Sequence, residues 1–409
     1  MEAVWVTGLG ACSALGGSVE QLSEAVETGR SGVRLHAGDP TRALPDYAAA
    51  AVEQDLTQGM APAQRNLYDR NGLLGLEAAR QAWAQAGLGE SAPDPQRAAV
   101  AWGTGLGGAQ SIEQAYVDLL TTERQRIHPY AVIRIMANAT AAHLAMRWQL
   151  RGAMTAISNA CASSAQAIGM ALDQIRRGDA DLVLAGGSEA MLFPGMLRAW
   201  QAMGVMAKPD PDRPSESCRP FDRARGGLVL GEGGAALVLE SASHARRRGA
   251  RPLAVLSGYG SSCDAVHLSR PEVNGQIQAM QRALADAGLA PQQIGYVNAH
   301  GTATDVGDAI EAQSLAEVFG ARGVPVSATK ALHGHLIGAG GALELIVALQ
   351  ALRRGRIPAS AHVRETELDA QIDLVRQTRE ASFDAVMSNS FAFGGSNAVL
   401  IARRADERG

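Results

Sequence analysis

Four segments carry residue types that could do covalent chemistry. In the first, Ile157 to Gly169, Cys161 stands among small residues, after an apolar run that ends at Ile157. Downstream, Ala165, Ile168, Leu172 and Ile175 recur at helical spacing, and Arg176-Arg177-Gly178 is a stop signal. Cys161 is therefore expected at a strand-to-helix turn, at or just before the helix start. Free amides and the helix dipole there favour a thiolate, with a pKa below the free value of ~8.5. Ala160, Ala162 and Ser163 leave room for a substrate. The competing reading is an inert buried cysteine that packs as a small hydrophobe.

A nucleophilic thiol needs proton-handling and oxyanion groups. His300 follows a short apolar run and opens a polar turn, Gly301 to Asp308. Sites of open α/β sheets collect at such strand ends. Lys330, His333 and His335 lie in one segment that leads into an apolar helix, Ala342 to Leu352. Only two of the 37 basic residues are lysines, Lys208 and Lys330, which hints at a place that needs a compact ammonium. The fourth segment, Met387 to Leu400, sets Phe391 and Phe393 beside Gly394-Gly395, as in a hairpin turn that exposes N–H groups. His36, His128, His143, His244, His267 and His362 have no comparable setting.

The elements that must position these groups follow from pattern. Short apolar runs at Ala3–Val6, Ala98–Trp102, Met154–Ile157, Leu182–Ala185, Val255–Ser257, Ile294–Asn298 and Val324–Ser327 read as buried strands. Helical patterns such as Leu73–Ala86 alternate with them, which implies α/β layers around mostly parallel sheets. Four pairs of segments repeat in the same order. Val6-Thr-Gly-Leu-Gly10 resembles Leu256-Ser-Gly-Tyr-Gly260, Glu77–Leu88 resembles Gln278–Leu289, Trp102-Gly-Thr resembles His300-Gly-Thr, and Leu172–Gly178 resembles Leu349–Gly355. Two similar halves are expected, 1–250 with the thiol and 251–409 with the two histidines, packed as one rigid unit.

Composition narrows the class. The 409 residues are 46% hydrophobic, so the chain is globular. A net charge of -4 advertises neither nucleic acid nor an anionic membrane. The N-terminus shows no signal-peptide pattern, and the most apolar helix is too short to span a bilayer. Four cysteines without CxxC spacing fit a reduced, cytoplasmic protein. Gly8-x-Gly10 lacks the rest of a dinucleotide fingerprint, so no nucleotide cofactor is expected.

The segments around Cys161, His300, Lys330/His335 and Phe393-Gly-Gly, in this order, resemble the β-ketoacyl-[acyl-carrier-protein] synthases. The likeness runs from Val6-Thr-Gly-Leu-Gly10 to Phe393-Gly-Gly-Ser-Asn397 and includes Ala185-Gly-Gly-Ser-Glu189 and Arg219-Pro-Phe-Asp222. It is closest to the elongating, Cys-His-His type. The resemblance implies a thiolase-like fold, two similar halves in a five-layered α-β-α-β-α structure. It implies decarboxylative condensation of an acyl thioester with malonyl-[acyl-carrier protein], without a cofactor or catalytic metal, in fatty acid or polyketide/aryl-polyene elongation. Its partners would be an acyl carrier protein and a second subunit, either a copy of itself or a chain-length factor.

By the same resemblance Cys161 is the acylated nucleophile, and its N–H and that of Phe393 form the oxyanion hole. His300, His335 and Lys330 make the decarboxylation site. Thr302 and Thr304 contact the pantetheine arm, with Phe391 and Phe393 at the gate, and Leu106 and Trp200 line the acyl pocket. Asn298, Glu344, Ser388 and Asn389 hold the site together, in some members around a monovalent cation. Arg65, Arg124 and Arg126 fall where the carrier docks. Asp305 replaces the usual proline and Ala392 the usual glycine, which bears on the substrate rather than the chemistry. The alternatives are a non-catalytic chain-length partner, which would lack the nucleophile, and a cysteine hydrolase, which leaves the second histidine and the lysine without a role. A zinc site of Cys161, His300 and His335 would draw on three distant segments without the usual spacing.

Overall fold

The computed structural model describes residues 2–121 and 127–405. Eleven of its strands form one sheet. In chain order they are β1 (Val4–Ser13), β2 (Ala98–Gly103), β3 (Met154–Ile157), β4 (Leu182–Glu189), β5 (Gly233–Ser241), β6 (Ala254–Cys263), β7 (Tyr296–Asn298), β8 (Pro325–Ser327), β9 (Asp373–Leu374), β10 (Ala385–Ala392) and β11 (Ser396–Arg403). The order across the sheet is β9-β8-β7-β10-β11-β6-β1-β5-β4-β2-β3. Outward from the β1–β6 junction, both sides run through the same succession of connections. The repeated segments thus occupy matching strands and helices. The junction itself is narrow, pairing Val4–Val6 with Ala254–Leu256.

Six helices layer this sheet: α1 (Arg70–Gln85), α2 (Ala139–Trp148), α3 (Ser163–Arg176), α4 (Val273–Ala287), α5 (Asp305–Phe319) and α6 (Gly340–Arg354). α1 and α2 cover the outer face of the first half. α4, with α5 against it, covers the second. α3 and α6 pack on each other and on strands of both halves, so they form the central layer. That central position explains why α6 is buried from Gly340 to Leu352. No helix among the described residues is long and apolar enough to cross a membrane.

Two features depart from the sequence expectation. The sheet is mixed: the β1–β5, β4–β5, β1–β6, β10–β11 and β6–β11 pairs are antiparallel. Helices cover both faces here, so antiparallel strands also become continuous apolar runs and lose the alternation that would betray them. In addition, β1 and β6 extend well past the apolar cores expected for them. Their glycines are packing devices. A Cβ on Gly8 or Gly10 would lie 2.0 Å from the Ala82 carbonyl oxygen or 1.9 Å from that of Ala78, both on α1. Gly258 and Gly260 face α4 in the same way, at 2.5 and 2.1 Å from the Ala283 and Ala279 oxygens. The paired glycines recur because each half must bring an outer helix against its innermost strand.

Gly10→Ala should therefore destabilise the protein by ~1–3 kcal/mol, the usual cost of overpacking. Gly89→Ala, where no atom lies within 4 Å of the added Cβ, should leave the thermal unfolding midpoint unchanged. Equal midpoints for the two variants would contradict the close helix–strand approach.

Candidate active site

The chain leaves β3 at Ile157 and enters α3 through a single 3-10 turn, Ala160–Ala162. Cys161 sits in that turn, as its spacing predicts. Ala160 is left-handed, with φ of 46°. This conformation costs a non-glycine residue about 1–2 kcal/mol and persists only where neighbours enforce it. Ser163 does so: its Oγ donates to the Ala160 carbonyl at 2.7 Å and accepts the Asn159 N–H at 2.9 Å.

His300 follows β7. Its turn contains Gly301 and the left-handed Ala303. Two acids on the first turns of α5 collect the N–H groups of this turn. Glu311 accepts from His300 and Gly301, each at 2.8 Å, and Asp308 accepts from Thr302 and Ala303 at 3.0 and 3.1 Å. Asp308 also accepts from Phe221 N–H at 2.7 Å. Sequence reading did not single out Glu311 or Asp308. Their i,i+3 spacing at the start of the helix after the His300 turn is the signal that could have found them.

Lys330 and His335 come from the segment after β8. Lys330 is 1% exposed and ion-paired with the equally buried Glu344 of α6. Its ammonium also donates to the His300 carbonyl at 2.5 Å and lies 3.3 Å from His300 Nδ1. An ammonium can only donate, so His300 Nδ1 accepts and the ring proton resides on Nε2. His335 is fixed similarly. Its Nδ1 accepts the Ile337 N–H at 3.3 Å, which leaves the proton on Nε2, 3.0 Å from Cys161 Sγ. Burial first, then the Lys330 charge, holds both imidazoles well below the ordinary histidine pKa. Both rings are neutral N–H donors. His333, in the same segment, is also buried and neutral, with a pKa pushed down to about 3, but it is bonded to Thr329 and the Gly334 carbonyl.

One ligand-type atom each from Cys161, His300 and His335 lies within 4.8 Å of the others. Folding thus gathers three segments whose distance in sequence argued against a zinc site. The Lys330 ammonium beside His300 opposes a dication in this cluster.

Burial pushes the Cys161 thiol up to about 12, against the pull of Lys330 and of the Phe393 and Cys161 amides. The expected low pKa at the helix start is thus overturned. The site is closed around the sulfur, and desolvation of the thiolate outweighs the groups that favour it. Those two amides nevertheless bear on the sulfur. Phe393 stands in the turn between β10 and β11, where Gly394 and Gly395 have φ of 82° and 76°.

Two cavities meet at Cys161. One, of about 300 Å³, is lined by His300, His335, Thr302, Thr304, Phe391 and Phe393. The other, of about 270 Å³, is almost wholly apolar and lined by Leu106, Met191, Met196, Ala199, Trp200 and Ile337. Trp200 and Phe393 border both and stack with ring centroids 6.0 Å apart. Leu106 is 46% exposed, so it stands at the rim of the apolar cavity in the single chain rather than at a closed far end.

Asn298 and Ser388 are paired neighbours on β7 and β10. Asn298 Oδ1, Ser388 Oγ and Glu344 Oε2 are buried without a partner. Asn389 follows Ser388 along β10, so its side chain points to the opposite face, where its Nδ2 lies 3.4 Å from Glu311. Arg65 ends a short surface helix, Pro62–Arg65. Arg124 and Arg126 lie outside the described residues.

Alkylation of Cys161 by iodoacetamide should keep rising about tenfold per pH unit through pH ~9, because the thiolate fraction grows until the pH passes a raised pKa. A rate that levels off below the free-cysteine value of ~8.5 would show that the helix start wins over burial.

Comparison with known proteins agrees with this geometry. Residues 1–245 match the model for the N-terminal domain of beta-ketoacyl synthases, and residues 253–364 match that for the C-terminal domain. Nodulation protein E of Rhizobium meliloti (strain 1021) is 38% identical, over 97% of this chain and 98% of its own. The 3-oxoacyl-[acyl-carrier-protein] synthase 2 of Coxiella burnetii is 35% identical over 98% of both. The solved structure titled the ishigamide ketosynthase/chain length factor superposes with a TM-score of 0.90 at 31% identity, covering 99% of this chain and 100% of that one. The thiol, the two neutral imidazoles and the thiolase-like layers thus have a common explanation: the chain belongs to the β-ketoacyl synthase family.

Proposed function

We propose that Cys161, His300, His335 and Lys330 carry out the decarboxylative condensation of an acyl thioester with malonyl-[acyl-carrier protein]. The observation that carries this reading is the pair of neutral histidines whose Nε2–H groups are set by Lys330 and by the Ile337 amide beside one thiol. A hydrolase has no use for the second donor. The presence of the thiol and both histidines in one cluster also disfavours a non-catalytic chain-length partner.

In the first half-reaction the Cys161 sulfur attacks the acyl carbonyl. The tetrahedral oxygen is held by the Cys161 and Phe393 N–H groups. Collapse leaves acyl-Cys161, and the proton lost by the thiol ends on the departing pantetheine thiol. The acyl tail enters the apolar cavity past Trp200 and Leu106. The arm of the malonyl thioester then lies along Thr302, Thr304 and the Phe391/Phe393 gate. Loss of CO2 leaves an enolate whose oxygen accepts from His300 and His335. Its carbon attacks the acyl-Cys161 carbonyl. The second tetrahedral species collapses to the β-ketoacyl product and the Cys161 thiolate, which takes up one proton.

Lys330 acts through His300, by fixing its tautomer, and through Glu344. The partnerless oxygens of Asn298, Ser388 and Glu344 fit a monovalent cation or ordered water, and Asn389, whose Oδ1 is also partnerless, would brace the other face of β10. Arg65 would contribute to the carrier-docking face. A second subunit, a copy of this chain or a chain-length factor, would cover the exposed Val132, Ile133 and Met136 and the edge strand β3 with its exposed Met154. Residues 1–250 and 251–409 would be the two units that share this site. The four unpaired cysteines support a cytoplasmic protein. The elongation pathway is that of fatty acids or polyketides.

His300→Ala and His335→Ala should each slow malonyl decarboxylation by about 100-fold or more, since one lost oxyanion donor costs ~3 kcal/mol. Both should still form acyl-Cys161, because that step uses backbone donors. Intact mass after incubation with acyl-carrier follows the first step, and CO2 release follows the second. Loss of both steps together would assign the histidines a structural role.

A further inference from the structure

Glu189 ends β4 and is fully buried. The proposed reaction gives it no task. All of its hydrogen-bond donors are uncharged. Oε2 accepts from the Gly105 N–H at 2.5 Å and the Gly338 N–H at 3.1 Å. Oε1 accepts from Thr104 Oγ1 at 3.3 Å, with the Leu106 N–H at 3.5 Å. A buried carboxylate without a cation beside it is costly to keep. Burial accordingly pushes it up to about 7, against the pull of these amides.

The two backbones it joins serve different parts of the site. Gly105 and Leu106 form the rim of the apolar cavity. Gly338 follows Ile337, whose side chain lines that cavity and whose N–H sets the His335 tautomer. Ile337 is left-handed, with φ of 43°. For a β-branched residue this is a genuine outlier that must be enforced from outside. The Glu189 bond to the next amide does so. Both glycines are required by the closure. A Cβ on Gly105 would stand 2.6 Å from Glu189 Oε2, and one on Gly338 would stand 2.3 Å from the Gly105 nitrogen.

We propose that Glu189 is a positioning residue that locks the rim of the acyl cavity to the turn after His335, so that one carboxylate sets both chain-length selection and the orientation of an enolate donor. This rests on the reading of the apolar cavity as the acyl site and of His335 as a decarboxylation donor. Without the carboxylate, Ile337 relaxes toward ordinary backbone angles. Its side chain then shifts in the cavity, and its N–H leaves His335 Nδ1.

The test compares Glu189→Ala, Glu189→Gln, Gly105→Ala and Leu106→Ala across acyl-carrier thioesters of increasing length and in malonyl decarboxylation. Glu189→Ala should broaden the length profile and slow decarboxylation by about 100-fold, the usual cost of a displaced catalytic group. Glu189→Gln keeps one carbonyl oxygen for Gly105 and Gly338 and should restore both properties to within about threefold of wild type, as expected when one acceptor suffices. Gly105→Ala strains the same contact without removing the acid and should change both properties together, which decides the matter if Glu189→Ala does not fold. Leu106→Ala should shift the profile alone. A folded Glu189→Ala with wild-type profile and decarboxylation overturns the proposal while Leu106→Ala still shifts. An unshifted Leu106→Ala overturns the acyl-cavity reading and the proposal with it.

Discussion

The ammonium of Lys330 is removed from water and has to be satisfied by what surrounds it. A lone buried charge would cost several kcal/mol, so its partners are not optional. They are the Glu344 carboxylate on α6, the carbonyl of His300 after β7, and the Nδ1 of the same histidine. The turn after β7 and α6 are thereby tied to the Lys330 segment after β8. Burial, and after it the same charge, keeps His300 and His335 neutral. The acid–base state of the site and its geometry thus have a common origin.

Around that centre the structure stores strain. Ala160, Ala303 and Ile337, each within three residues of a reacting side chain, occupy left-handed backbone that suits glycine better. Each is held by a specific polar neighbour: Ser163 for the first, Asp308 for the second, Glu189 through Gly338 for the third. The restraints are short side chains or buried carboxylates anchored on α3, α5 and β4. The layered fold is rigid there because its central helices are covered on both sides. A site assembled from the ends of strands in both halves requires that rigidity, since a small shift of one half would separate Cys161 from its imidazoles.

The two cavities divide the work by chemistry. One side of Cys161 presents hydroxyls and imidazoles, suited to a polar arm and a developing enolate. The other is aliphatic and aromatic, suited to a hydrocarbon chain. Trp200 and Phe393 stand between them, and the Phe393 N–H also bears on the Cys161 sulfur. One residue therefore touches gate, pocket and chemistry, which makes its glycine turn a sensitive part of the chain.

The amino-acid sequence by itself determined which residues could react and which elements carry them. The thiol at a helix start, the histidines after short apolar strands and the duplicated order of segments were legible because they depend on local periodicity and spacing. The tertiary structure alone decided what depends on burial and on contacts across the chain. It reversed the expected thiol pKa by closing the site around Cys161. It chose the tautomers of His300 and His335 through Lys330 and the Ile337 amide, and it recruited Glu311, Asp308 and Glu189 as backbone anchors. It turned Asn389 away from Ser388, made half of the strand pairs antiparallel and set Leu106 at a rim. These properties are set by which side chains share a desolvated volume, and residues as far apart as Cys161 and His335 come to share one only when the sheet and its central helices are in place.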